Sequence, residues 1–419
     1  KPFRSVRRRL TVGPRLGWGG PTLASLLRSP ADDAPPADVG ADDDCVLVFT
    51  SGSTGAPKAV SLTHRCMAER VERIQAALNL PPGAAISETL LVYTILEICM
   101  GLSVVIPPMD LARPATVDPA AIFRTLDTHR PTYASASPVV WQRFVRKAAA
   151  EGRRFDHLQL LLTTAAPIPV DLHRRLRDVV PETTELFTPY GATEAMPISL
   201  IGSREVLDHT AARTAAGEGT CVGRPVDGLD LRVIALTDDA LPSIDAAPPL
   251  PTGELGEIVI RGPGVSRAYR QSPRGNELAK IPDGDTVWHR MGDLGRLDAD
   301  GRLWFCGRTS HLLRTARGVI PNVPVEGLFN THPAVQRAAL VGVGEPGAEE
   351  PILCVELEPG HPWSQALHDD ILATAAGTTW AGLIQRVLPH PGFPTDTRHN
   401  SKIRNEDLRG WVLQALGHR

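Results

Sequence analysis

The stretch Thr50-Ser51-Gly52-Ser53-Thr54-Gly55-Ala56-Pro57-Lys58 concentrates groups that grip an anion. Glycines let backbone N–H groups come close to a phosphate, the hydroxyls add donors, and the lysine supplies a point charge. The apolar, β-rich run Cys45–Phe49 precedes it, and helical periodicity starts near Thr63. A Walker A loop is excluded, because that motif needs Gly-Lys-Ser/Thr and here Ala59 follows Lys58. The competing reading is an ordinary polar turn. Two glycines, four hydroxyls and a lysine in this order argue against it.

Four more stretches carry chemistry. Tyr190-Gly191-Ala192-Thr193-Glu194 offers a ring to stack on a base, a close-approach glycine, a hydroxyl for a phosphate and a carboxylate for Mg²⁺. Gly292-Asp293-Leu294-Gly295 sets a carboxylate between glycines after a strand, suited to two vicinal ribose hydroxyls; alone it is a hairpin signal. Gly307-Arg308 follows the apolar run Leu303–Cys306 and alone reads as a surface arginine. Asn400-Ser401-Lys402 puts one lysine in a polar turn, which by itself carries no meaning.

The elements that must position these residues change character along the chain. Helical spacing predicts helices over 63–79, 90–100, 120–129, 139–150 and 170–179, with Trp141 and Phe144 on a buried side. Strands are expected at 104–106, 158–163 and 185–187, the last followed by a turn at Thr188–Gly191. This alternation argues for a mostly parallel sheet with helices on both faces. From Thr220 the texture becomes β-rich, with short strands at 229–236, 256–260, 288–290 and 303–305. Beyond residue 308, strands at 338–343 and 352–357 and helices at 364–378 and 406–416 make a separate set. The expected parts are 1–219, an α/β ATP-binding portion; 220–308, a β-rich subdomain; and 309–419, a small mobile α+β domain. The phosphate loop stands close to the start of the chain, so the sequence reads as truncated at its N-terminus.

Composition bounds the function. Apolar residues make up 42% of the 419 and charged residues 22%, as in a soluble globular protein. The net charge of −3 gives no general attraction to nucleic acid or to an anionic membrane. The longest apolar run, Leu90–Pro108, carries Glu97 and reads as buried helix and strand rather than a membrane span. Six cysteines without a CxxC pair fit reduced thiols in the cytoplasm, and the 13 histidines show no metal-ligand spacing.

In this order, Thr50–Lys58, Tyr190–Glu194, Gly253–Glu257, Gly292–Gly295, Gly307-Arg308 and Asn400–Lys402 resemble the signature set of the acyl-adenylate-forming superfamily. The resemblance implies that superfamily's α/β fold, with ATP and Mg²⁺ as cofactors. It implies that Ser51, Ser53, Thr54 and Lys58, with Thr50, Gly52 and Gly55, line a loop over the β- and γ-phosphates. Ala165, Ala166, Tyr190 and Gly191 frame adenine. Thr193 meets the α-phosphate, Glu194 the Mg²⁺, and Asp293 and Arg308 the ribose. Ser310 marks a hinge, and Lys402 bridges carboxylate and α-phosphate during adenylation. The segments 304–308, 329–335 and 393–403 look like the β-lactone synthetases of bacterial olefin biosynthesis. In those enzymes the hydroxyl of an activated long-chain β-hydroxy acid closes on its own carbonyl. The stretch Thr309–Pro321 lacks the acidic hinge pair and Lys-x-x-Gly loop that serve thioester formation, and Ser87–Tyr93 lacks the histidine often found beside the acyl carboxylate. The expected partners are that acid and other enzymes of the same lipid pathway. The alternatives are a fatty acyl-CoA or acyl-AMP ligase and a truncated, non-catalytic paralogue.

Overall fold

Alternate residues of a central sheet face two different cores, and that alternation organises the larger part of the molecule. The computed structural model describes residues 10–14, 20–28, 37–50, 57–164, 166, 168–395 and 403–417. Residues 1–41 form one unit, in which Thr22 caps the short helix Leu23–Leu26. Residues 42–419 form the other.

In the second unit a seven-stranded sheet runs in the order 224–225, 195–202, 185–192, 160–163, 133–136, 85–88, 103–105. Its five strands from Ser103–Val105 to Glu185–Ala192 are parallel, and the last two are antiparallel. On one face Ala134, Ala136, Leu161 and Leu186 pack with Phe123, Trp141, Phe144 and Leu172 from the helices Pro119–His129, Pro138–Ala150 and Val170–Asp178. On the other, Ile86, Tyr133 and Leu160 pack with Met67 and Leu96 from His64–Leu78 and Leu91–Cys99. Strands buried on both faces read as continuous apolar runs, which is how Leu160–Thr163 was visible in sequence.

The helix bounds follow local chemistry. The Thr63 hydroxyl accepts the Cys66 N–H at 3.2 Å, and Asn79 closes that helix in the left-handed region with φ 49°. Asp118 caps Pro119–His129, whose proline occupies a first-turn position that lacks an N–H partner in any case.

The β-rich part is an antiparallel sheet ordered 230–234, 256–261, 286–297, 303–308, 220–221, with 280–283 added against the long central strand. A further sheet, 335–343, 350–357 and 386–389, carries helices on both faces. Leu340, Leu353 and Val355 pack toward Val325, Phe329 and Ile371, whereas Ala339, Val341 and Cys354 pack toward Leu408 and Val412.

Several local expectations need correction. Lys58–Thr63 is a strand that returns antiparallel to Asp44–Thr50 before the helix starts, so Lys58 opens a strand. Thr188–Gly191 is no turn: the Glu185–Ala192 strand continues through it, held by pairing of Thr188, Pro189 and Tyr190 with the strand Ala195–Gly202. Gly292–Gly295 lies inside the 12-residue strand Thr286–Leu297 rather than after a strand. The strand Ala85–Glu88 is only four residues long with one large apolar side chain, and Ala195–Gly202 carries Pro197, so neither shows a strand pattern in sequence.

Candidate nucleotide site

The two antiparallel strands Glu185–Ala192 and Ala195–Gly202 are joined by the turn that holds Thr193 and Glu194. Gly191 is required there, because a Cβ would stand 2.6 Å from the Ala195 carbonyl oxygen. The Tyr190 ring packs on Phe305 at 5.8 Å between centroids. Its hydroxyl donates to Asp293 Oδ2 at 2.5 Å.

Asp293 reaches that hydroxyl from the neighbouring sheet. Gly292 adopts φ 64°, and Asp293 pairs in register with Arg308 on the adjacent strand. The Arg308 guanidinium stands 2.9 Å from Asp293 Oδ1, yet this oxygen has no hydrogen bond of good direction. Burial pushes the Asp293 carboxyl up, opposed by Arg308 and by the Tyr190 hydroxyl. The Tyr190 phenol is pushed well up by burial and by the Asp293 charge, so it stays a donor. A buried carboxylate with one oxygen free, beside an exposed guanidinium, suits a vicinal diol.

Glu194 is clamped from behind. Its Oε1 accepts from the Tyr269 hydroxyl at 2.7 Å, and its backbone carbonyl accepts the Ser266 N–H at 2.7 Å. The Thr193 carbonyl accepts from Arg70 at 2.9 Å, and the same guanidinium donates to the Gly264 carbonyl. The Lys58 and Lys280 ammonium groups stand 5.1 and 5.3 Å from the Tyr269 ring centroid. Lys280 donates to the Ser266 carbonyl, and burial lowers its ammonium to about 7 against the pull of Glu194. Arg70, Tyr269 and Lys280 gave no sequence signal, since each lies far along the chain from the turn it supports.

The predicted site residues are therefore distributed as follows. Tyr190, Gly191, Asp293 and Arg308 converge at one group, Thr193 and Glu194 share the adjoining turn, and Lys58 stands over the Tyr269 ring whose hydroxyl bonds Glu194. Thr50 sits opposite Lys58 across the Asp44–Thr50 hairpin. Ala166 lies past the end of Leu160–Thr163, and Ser310 in the turn Thr309–His311. Ser51, Gly52, Ser53, Thr54, Gly55, Ala165 and Lys402 lie outside the described residues. Among the described residues no group of three or more His, Cys, Asp or Glu could hold a metal. A divalent cation here would take one protein carboxylate, Glu194, and complete its oxygen shell from phosphate and water, as Mg²⁺ does with nucleotides.

Beside Thr164 and Pro189 lies a small apolar cavity of about 60 Å³. Ile74, Leu78, Ile86, Leu96, Met196 and Leu200 line it. Among the described residues no helix is long and apolar enough to cross a membrane.

Residues 11–270 match the family model described as AMP-binding enzyme. The chain is 41% identical over 421 residues to an olefin beta-lactone synthetase of Stenotrophomonas maltophilia, covering 99% of this chain and 75% of that one. It is 41% identical to the olefin beta-lactone synthetase of Xanthomonas campestris pv. campestris, covering 97% and 73%. Its fold is similar to that of the O-succinylbenzoate coenzyme A synthetase of Bacillus subtilis in complex with AMP, with a TM-score of 0.73 and 20% identity over 93% of this chain and 74% of that one. The expected adenylate-forming α/β fold is therefore the observed one. With a family match over more than half its length and these relatives, the chain belongs to the AMP-binding, adenylate-forming family and is an AMP-forming ligase.

Proposed function

We propose that this ligase activates a long-chain β-hydroxy (2-alkyl-3-hydroxy) fatty acid as its acyl-adenylate and closes it to a β-lactone, releasing pyrophosphate and then AMP. The 41% identity to named β-lactone synthetases, sustained over 99% of the chain, carries this reading. The apolar lining beside Thr164 and Pro189 supports it as a surface of the kind an alkyl chain packs against.

In this reading Tyr190, with Ala165 and Ala166, frames the adenine, and Asp293 and Arg308 hold the ribose hydroxyls. The loop Thr50–Lys58 covers the β- and γ-phosphates. Thr193 donates to the α-phosphate, and Glu194 would hold Mg²⁺, which supplies charge neutralisation among the phosphates. Lys402 brings its ammonium to the carboxylate and α-phosphate as their charges converge. Residues 309–419 act as a small mobile domain turning at Ser310 beside the 1–219 and 220–308 portions. The setting is the cytoplasm, with other enzymes of the same lipid pathway as partners.

Closure needs no second substrate. The acid's own hydroxyl attacks the adenylate carbonyl, a new C–O bond forms, and the bond to AMP breaks with its electron pair on the phosphate. A tethered nucleophile has a high effective concentration, which offsets part of the ring strain. The degenerate Thr309–Pro321 stretch, with Pro324 just beyond it, suits such a reaction. The test supplies ATP, Mg²⁺ and a β-hydroxy fatty acid, with and without CoA, beside the same acid lacking the hydroxyl. The hydroxy acid should give AMP and lactone at equal rates in both mixtures, and the plain acid should stall as bound adenylate. CoA-dependent thioester would overturn the lactone reading and restore an acyl-CoA ligase. Absence of pyrophosphate release with every acid would favour a non-catalytic paralogue.

A further inference from the structure

We propose that the buried carboxyl pair Glu88–Glu97 takes the β-hydroxyl proton when the lactone closes; this rests on the β-lactone reading above. Glu88 ends the strand Ala85–Glu88, and Glu97 lies on the helix Leu91–Cys99 that follows it. The short connection through Thr89 and Leu90 turns the helix back so that the two carboxyls meet. They are 1% and 4% exposed, and both line the apolar cavity. Glu88 Oε1 accepts the Leu90 N–H at 2.6 Å, which fixes it. The Oε2 atom of each is buried and meets no donor other than the partner carboxyl.

A structural role alone is a poor account of this pair. Two carboxyls in an apolar wall cost more than aliphatic side chains of the same volume, and such groups are normally paired with cations. The described lining of this cavity holds no lysine, arginine or histidine. Its other titratable member, Tyr93, has its hydroxyl engaged with Thr164 Oγ1 at 3.1 Å. Thr164 adjoins Ala165 and Ala166, and Pro189 adjoins Tyr190, so the cavity abuts the nucleotide groups.

The chemistry follows from the contact. Burial and mutual repulsion push Glu88 well above the carboxylate range, and burial pushes Glu97 up as well. With one proton shared between them, such a pair keeps one charge that can accept a proton. A substrate hydroxyl reaching the cavity wall donates its hydrogen bond to that charge. As its oxygen bonds to the adenylate carbonyl carbon, the O–H proton passes to the pair. The carbonyl–phosphate C–O bond breaks with its electrons on AMP, and the pair returns the proton to water after release. No co-reactant is required.

The test uses Glu88→Gln, Glu97→Gln and Glu97→Asp, with ATP, Mg²⁺ and 3-hydroxydecanoic or decanoic acid as probes. Adenylation is read by ATP–pyrophosphate exchange, and closure by mass spectrometry of lactone and bound adenylate in a single turnover. Closure in Glu97→Gln should fall about 100-fold or more beyond any fall in exchange, the size of a lost general base. Hydroxyacyl-adenylate should accumulate, and Glu97→Asp should recover part of the rate. Wild-type closure rates in both Gln variants would overturn the proposal. So would a loss of exchange with both acids that equals the loss of closure with the hydroxy acid in all three variants, which would mark the pair as structural. A wild-type enzyme that forms adenylate but never lactone would overturn the function itself, and the proposal with it.

Discussion

Asp293→Asn is the sharpest probe of the nucleotide site. The carboxylate is 2% exposed, receives the Tyr190 hydroxyl on Oδ2 and leaves Oδ1 without a well-directed donor beside Arg308. If a ribose diol completes its bonding, each hydroxyl donates to an ionised acceptor. A hydrogen bond to a charged group contributes about 1.5–3 kcal/mol, so losing one weakens ATP about 10- to 150-fold at about 1.4 kcal/mol per decade. Asparagine keeps an acceptor for Tyr190 but turns an NH₂ toward Arg308, so the fold is retained while the diol loses its acceptor. The assay is a cycle: dissociation constants of ATP and 2′,3′-dideoxy-ATP for wild type and Asp293→Asn by calorimetry. Wild type should favour ATP by at least the factor above, since the dideoxy nucleotide lacks both hydroxyls, and the variant should bind both nucleotides alike. If the variant retains the full preference for ATP, Asp293 does not hold the ribose and serves only to anchor Tyr190 and Arg308.

Other outcomes follow from the same geometry. Glu194→Gln should raise the Mg²⁺ concentration needed for pyrophosphate release, since a hard cation loses an anionic oxygen; an unchanged Mg²⁺ titration would leave Glu194 as no more than the acceptor of Tyr269. Lys402→Ala should lower adenylation far more than ATP affinity, because the ammonium acts as charge converges; equal losses in both would refute that role. His173 is 5% exposed, and burial, aided by Arg177, pushes its imidazolium down to about 4 from 6.5. Its contribution to stability is intact above about pH 6.5 and is lost as pH falls toward 4, up to about 3 kcal/mol. Urea denaturation should show that acid slope in wild type and a flatter one in His173→Gln; equal slopes would locate the acid sensitivity elsewhere. Phe144→Ala empties a site within the Phe123, Trp141 and Phe155 aromatic cluster and should cost about 3–5 kcal/mol in the same assay.

What the chain reveals on its own is whatever depends on neighbours in sequence. The helix His64–Leu78 was legible because its cap, its apolar spacing and its left-handed stop all lie within one stretch. The two-faced parallel sheet followed from strand–helix alternation, and the nucleotide groups from short motifs whose residues stay together. Residues that meet across elements were not legible. Lys58 stands over the Tyr269 ring because the Lys58–Thr63 strand pairs with Tyr269–Arg270, and the hydroxyl of that same ring bonds Glu194. Arg70 and Lys280 support a turn more than 80 residues away, and no local pattern encodes that distance. Tyr190 and Asp293 sit on different sheets, and their hydrogen bond exists because packing brings two strand faces together. The sharpest case is Glu97. In sequence it is one polar interruption in an apolar run, and on a solvent-facing helix side it would be an ordinary surface carboxylate. The turn at Thr89–Leu90 instead rotates it inward against Glu88, and only burial converts two common side chains into a coupled pair pushed above the ordinary carboxylate range.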